Sequence, residues 1–216
     1  MYRVTDVVRH LLIINVLMYF GTTLLGDPAI NPSTGEVVDW GRYFLALFYP
    51  TSEYFRPFQL VTHMFMHANI SHLFFNMFGL FMFGPPLESL WGPRRFLFYY
   101  LFTGFGAMVL HLGVKYIELN MGMMPEWAIN TPMLGASGAV FGLLAGYGMK
   151  FPNTMIMLIF PPIPMRAKYF VMLYAGVELF LGLSPFQTGV AHFAHLGGAL
   201  FGFLLILYWR KFPSTW

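Results

Sequence analysis

From Leu11 to Leu25 the chain carries no charged side chain, and apolar runs of this kind recur up to Trp209. Such runs constrain the fold more than any motif. A helix of roughly 20 apolar residues crosses the hydrocarbon of a bilayer while satisfying its own backbone N–H and C=O groups, which lipid cannot do. The first span runs from about Val7 to Leu25. The second lies within Phe58 to Leu90, which is too long for one straight crossing. Asn69 and Ser71 interrupt it, so the helix begins there and ends before Trp91-Gly92-Pro93, leaving Pro57 to Ala68 as an interfacial or partly embedded piece. Phe96 to about Ile117, Ser137 to Met149, Tyr169 to Leu183 and Val190 to Trp209 complete six spans. The expected fold is an all-α polytopic membrane protein, a six-transmembrane-helix bundle in which residues 1–216 form one domain.

Composition agrees. Hydrophobic residues make up 57% of the chain and charged ones 10%, against about 25% charged in soluble domains. With no cysteine, disulfides, thiol catalysis and thiolate metal sites are excluded. The formal charge of +3 comes from basic residues scattered in ones and twos, not the clustered stripe that nucleic acid requires. These residues report topology instead. A cytoplasmic N-terminus places Arg3, Arg9, Arg94, Arg95, Lys150, Arg166, Lys168, Arg210 and Lys211 inside, and only Arg42, Arg56 and Lys115 outside. That bias satisfies the positive-inside rule and makes both termini cytoplasmic. The first apolar run exceeds a signal-peptide core and leads into Gly26-Asp27-Pro28, so it reads as a span. The start has no transit-peptide pattern, which points to a bacterial inner (cytoplasmic) membrane. No appended soluble domain is expected.

Gly26 to Ala68 then forms a long external loop. Its aromatic residues, Trp40, Tyr43, Phe44, Phe48, Tyr49, Tyr54 and Phe55, suit the headgroup layer. A loop of this length serves either as a seal on the bundle or as a surface for substrate. Two ladders of small residues, Gly138, Gly142, Gly146 and Ala194, Gly198, Gly202, allow helices to approach closely in lipid. They predict that the fourth and sixth spans are neighbours.

Spans two, four and six all enter from the external side, which brings His72, Asn76, Ser137 and His195 to a similar depth. Ionisable groups at such depth are functional hypotheses by default. A serine beside a neutral histidine is a candidate nucleophile with its base, and Phe141, one turn after Ser137, is placed to stack on the imidazole. His72 and Asn76 share a helix face and, with the unpaired backbone N–H of Ser137, could donate to an oxyanion. Gly135 and Gly138 keep the approach to the serine clear. No Asp or Glu lies near Ser137 or His195 at a helix start, so the inventory gives a dyad and not a triad. Two other readings stay open. His63, His67, His72, His192 and His195 could be metal ligands, although no HExxH motif and no carboxylate accompany them. Glu178, inside the fifth span, could serve an ion pathway. His192 competes with His195 as the base, or else caps the entrance to its helix.

The pieces RPFQLVTHMFMHANISHLFFN (Arg56 to Asn76), GPPLE (Gly84 to Glu88), GASG (Gly135 to Gly138) and AHLGGALFG (Ala194 to Gly202) occur in this order across six spans. Together they resemble the rhomboid family of intramembrane serine proteases, in its minimal six-helix bacterial form. The resemblance implies a rhomboid-like bundle that needs no cofactor or metal. Ser137 would be the nucleophile and His195 the base, and His72, Asn76 and the Ser137 amide would form the oxyanion hole. The family pattern AHxxGxxxG fits His195, Gly198 and Gly202 and does not fit His192. Phe141 stands at an often aromatic position and keeps only a stacking role. Implied partners are single-span or polytopic membrane-protein substrates within the lipid. Entry would be lateral, with a gate at the fifth helix and the loop Ser184 to Gly189, where Phe186 is the candidate gate residue.

Overall fold

In the computed structural model the boundaries of the helix Ile70–Trp91 and the start of the helix that opens at Pro93 follow local capping chemistry. The structure describes residues 4–25, 28–30, 37–157, 162–184 and 191–212. In chain order these contain α1 (Asp6–Leu25), β1 (Pro28–Ile30), β2 (Val37–Asp39), α2 (Trp40–Leu45), α3 (Gln59–Thr62), a 3-10 turn (His63–Phe65), α4 (Ile70–Trp91) and α5 (Pro93–Asn120). A second 3-10 turn (Glu126–Asn130), α6 (Ser137–Lys150), β3 (Met155–Met157), β4 (Pro164–Arg166), α7 (Ala167–Leu183) and α8 (His192–Lys211) follow. Asn69 caps α4 by accepting the His72 backbone N–H at 2.8 Å, which satisfies a donor the helix leaves unpaired. Gly92, at φ +79°, ends α4, and Pro93 opens α5 at once; proline suits a first turn because its missing N–H costs nothing there.

Among the described residues, α1, α4, α5 and α8 are long and apolar enough to cross a membrane, so the protein is a polytopic, predominantly helical membrane protein. Helices α6 and α7 are shorter, at 14 and 17 residues. Leu17, Phe74, Met172, Phe180 and Leu183 are exposed, a surface suited to lipid and hostile to water. The all-α polytopic class is as the sequence leads one to expect, and the two antiparallel pairs, β1 with β2 and β3 with β4, are three-residue strands in the connections between helices.

The centre is built from α5, α6 and α8. A side chain at Gly198 would put its Cβ 1.8 Å from the Gly138 carbonyl oxygen, and one at Gly202 would meet the Tyr99 hydroxyl at 2.4 Å. The Tyr99 hydroxyl donates to the Gly142 carbonyl at 2.8 Å. The two ladders therefore face each other, as their spacing predicts. On the flank, the buried carboxylate of Glu88 in α4 accepts the Val7 and Val8 backbone N–H groups at 3.0 and 2.9 Å and the Thr5 hydroxyl. It caps the start of α1, where free amides and the helix dipole favour a negative charge. The acid of the GPPLE segment thus joins α4 to α1.

The long connection between α1 and α4 is more tightly packed than its sequence indicates. Tyr43 and Phe48 turn inward and are buried, while Phe44 and Phe58 remain exposed. The inward rings pack against each other and against Tyr54, and Gln59 beside them in the chain's fold is 0% exposed. Its amide nitrogen donates to the Phe44 and Tyr54 carbonyls, and its oxygen accepts the Phe48 and Arg56 backbone N–H groups. Leu47 exchanges two backbone hydrogen bonds with Met133, and the Ser52 hydroxyl donates to Asn130. The loop thereby grips the segment that leads into α6.

Candidate active site

Ser137 is the first residue of α6 and His195 lies one turn into α8. The close approach of the two helices brings Ser137 Oγ within 2.9 Å of His195 Nε2. The Phe141 ring lies flat on the imidazole, with centroids 4.3 Å apart and planes inclined by 6°. This contact holds the ring in the plane that points Nε2 at the hydroxyl.

Gly135 is the position before the serine that only glycine can fill. Its φ is +128°, and a Cβ there would lie 2.9 Å from His72 Nε2, so a side chain would be both strained and obstructed. The Gly135 N–H donates to the His63 carbonyl at 2.9 Å. His72 Nδ1 accepts the Ala68 backbone N–H at 3.3 Å, so in the neutral ring the proton sits on Nε2, the nitrogen facing Gly135. Asn76 Nδ2 donates one hydrogen to the His72 carbonyl at 2.8 Å and retains a second. The Ser137 amide is unpaired by the helix because it opens α6.

His72, Asn76, Ser137 and His195 all line one cleft of about 950 Å³. Its flanks are apolar: Phe75, Phe78, Met82 and Phe83 from α4, Val140 and Leu144 from α6, and Phe170 and Tyr174 from α7. The cleft lies between α4 and α7, where the Phe83 and Phe170 rings approach to 6.5 Å. Gly138, Gly198 and Gly202 stand behind it at the α6–α8 contact, and Phe186 lies outside the described residues.

The structure corrects one reading of the residues. Glu178, from the middle of α7, is buried against the two histidines of α8. Its Oε2 accepts a 2.6 Å hydrogen bond from His192 Nδ1 and lies 3.0 Å from His195 Nδ1. An acid therefore does stand beside His195. It comes from a helix whose end, and not its start, reaches this level. His192 is correspondingly buried against Glu178 and is not an interfacial cap.

The remaining histidines have other surroundings. His63 Nδ1 lies 2.8 Å from the Gln59 carbonyl, and His67 packs edge-on against His72 with ring centroids 5.1 Å apart. Burial pushes these two imidazoles down, to about 4 for His63 and about 3 for His67, so both are neutral at physiological pH. One ligand atom each from Glu178, His192 and His195 falls within 4.8 Å of the others. The 2.6 and 3.0 Å separations there are hydrogen-bond distances. Donors around a zinc ion, each about 2.0–2.1 Å from it, spread to about 3.3 Å from one another.

The profile of the Rhomboid domain matches residues 54–212, the span that holds all of these side chains. The chain belongs to the rhomboid family. It is 29% identical to the rhomboid protease AarA of Providencia stuartii, over 94% of this chain and 72% of that protein. It is 36% identical to rhomboid-like protein 11, chloroplastic, of Arabidopsis thaliana, over 73% of this chain and 54% of the relative. Rhomboid protein 1, mitochondrial, of Saccharomyces cerevisiae is 31% identical over 68% of this chain and 40% of the yeast protein. The chain thus spans about half or less of the length of these two eukaryotic relatives.

Proposed function

We propose that this rhomboid-family chain is an intramembrane serine endopeptidase that hydrolyses peptide bonds in or near substrate transmembrane helices through a Ser137–His195 dyad. The observation that carries this reading is the 2.9 Å contact between Ser137 Oγ and His195 Nε2 on the wall of an apolar cleft. In this mechanism Nε2 accepts the hydroxyl proton as Oγ attacks the scissile carbonyl. The charge that develops on the carbonyl oxygen is met by His72 Nε2–H, the second Asn76 amide hydrogen and the Ser137 backbone N–H. His195 returns the proton to the leaving amine, and water then hydrolyses the acyl-enzyme by the same proton path.

The cleft between α4 and α7 favours lateral entry of a single-span or polytopic membrane substrate, with Phe186, after α7, as a gate residue. Shielded helical peptide bonds have to unwind before attack, so segments with small or helix-breaking residues are preferred. The same reading makes the chain one rhomboid domain of the minimal six-helix bacterial type in the cytoplasmic membrane. Its termini are inside and its site opens to the external face.

The test uses purified protein in proteoliposomes with a single-span reporter and a fluorophosphonate probe. Wild-type protein cleaves the reporter and forms a Ser137 adduct. Ser137→Ala and His195→Ala each lose cleavage at unchanged thermal midpoint. Cleavage retained in both variants, or no adduct on the wild-type serine, refutes the proposal and leaves a helix-binding scaffold.

A further inference from the structure

Two groups, Glu178 and His192, stand on the side of His195 that faces away from Ser137. The Nδ1 atoms of His192 and His195 both address one oxygen of Glu178, at 2.6 and 3.0 Å. All three side chains are largely shielded from solvent, with Glu178 8% and His192 7% exposed. A carboxylate is costly to bury unless it is paired and hydrogen-bonded. The pairing here is with the ring nitrogen opposite the one that meets the serine. We propose that Glu178 is the positioning residue of this site: seated by His192, its carboxylate selects the His195 tautomer with a proton on Nδ1 and a bare Nε2 toward Ser137. The site is thereby a relay of Ser137, His195 and Glu178 drawn from α6, α8 and α7. This inference rests on the protease reading.

The chemistry of the relay is balanced at each atom. A neutral imidazole has one N–H, and a carboxylate oxygen 3.0 Å from Nδ1 draws it there because the oxygen can only accept. Nε2 is then an acceptor for the serine hydroxyl. When it takes that proton, both ring nitrogens carry hydrogen, and the positive charge is formed beside Glu178. No proton passes to the acid, whose role is orientation and charge stabilisation. The His192 hydrogen bond is aligned, while the His195 Nδ1 contact is not yet a directed hydrogen bond. Catalytic hydrogen bonds in an unliganded site commonly align only when substrate is bound.

The placement also has a geometric consequence. Ser137 and His195 lie on helices locked together by glycine contacts, whereas Glu178 lies on α7, which forms one wall of the cleft. The tautomer is therefore set only while α7 stays against the start of α8.

The test is Glu178→Gln, which preserves size and one acceptor oxygen but removes the charge. Expected are a fall in kcat of about 100-fold, the low end of what a positioned base contributes, KM unchanged, and fluorophosphonate labelling of Ser137 slowed by the same factor at unchanged thermal midpoint. A purely structural role for Glu178 would leave labelling and kcat at wild-type values, and that result overturns the proposal. If the variant does not fold, histidine-ring ¹⁵N correlations of the wild-type protein in micelles decide the matter. His195 protonated at Nδ1 supports the proposal, and protonation at Nε2 overturns it. A wild-type protein that neither cleaves nor labels removes the protease reading itself. A competent wild type with an equally competent Glu178→Gln removes only this inference.

Discussion

Phe141 exchanges no proton in the proposed mechanism, yet its ring fixes the plane of His195 through a 4.3 Å parallel stack. Aromatic contacts of this kind contribute about 0.5–1.5 kcal/mol beyond the area they bury. Phe141→Leu should lower kcat about 2- to 10-fold with little change in KM, and Phe141→Tyr should retain activity, as steady-state cleavage of the reporter will show. The stack was legible because residues 137 and 141 share a helix face, and the serine and histidine because both stand at span starts on the same side. Glu178 was not legible by that route. It lies five residues before the end of α7, and His195 three residues after the start of α8. At about 1.5 Å per residue the two sit within one turn of the same depth. Measuring depth from helix ends as well as starts would have paired them.

Helix starts and close contacts were written locally, and so could be read. Asn69 caps α4, Gly92-Pro93 separates α4 from α5, and the small-residue ladders meet at Gly138 and Gly198. The three-residue strands were hidden because pieces so short show no alternation of apolar and polar residues. The inward turn of Tyr43 and Phe48 was hidden for a different reason. It goes with a single Gln59 satisfying four backbone groups at irregular separations along the preceding chain, from Phe44 to Arg56, which no periodicity reveals. The ladder yields a prediction at this scale. Gly198→Ala would place a Cβ 1.8 Å from the Gly138 carbonyl oxygen, and the obstructing atoms are backbone of the first turn of α6, not a flexible side chain. Overpacking of this kind costs about 1–3 kcal/mol. The variant should show a lowered thermal midpoint in detergent, with activity falling as α6 and α8 separate, since Ser137 and His195 ride on those two helices.

Across the whole molecule, the basic residues at the helix ends near Trp91 and Trp209 and the Ser137 site lie at opposite ends. The Arg95 guanidinium, at the start of α5, sits 4.1 Å over the Trp209 ring near the end of α8, beside the Trp91 ring that closes α4. Lys150 ends α6 on the same side, while Ser137 opens that helix at the other. The orientation proposed from the basic residues therefore requires α6 to cross alone between the two faces, although its 14 residues extend only about 21 Å against roughly 30 Å of hydrocarbon. A helix this short can connect both faces only if its first residue lies below the outer surface, as Ser137 must for water to reach it inside the bilayer. Because the chain has no cysteine, single-cysteine labelling has no background. Met123→Cys, at an exposed turn after α5, should react with a membrane-impermeant maleimide in intact spheroplasts, whereas Asn153→Cys, in the exposed turn after α6, should react only after lysis. The reverse pattern would invert the topology and put the cleft on the cytoplasmic side. Reaction of both positions from one face would mean that α6 does not cross, and the six-span arrangement would fail with it.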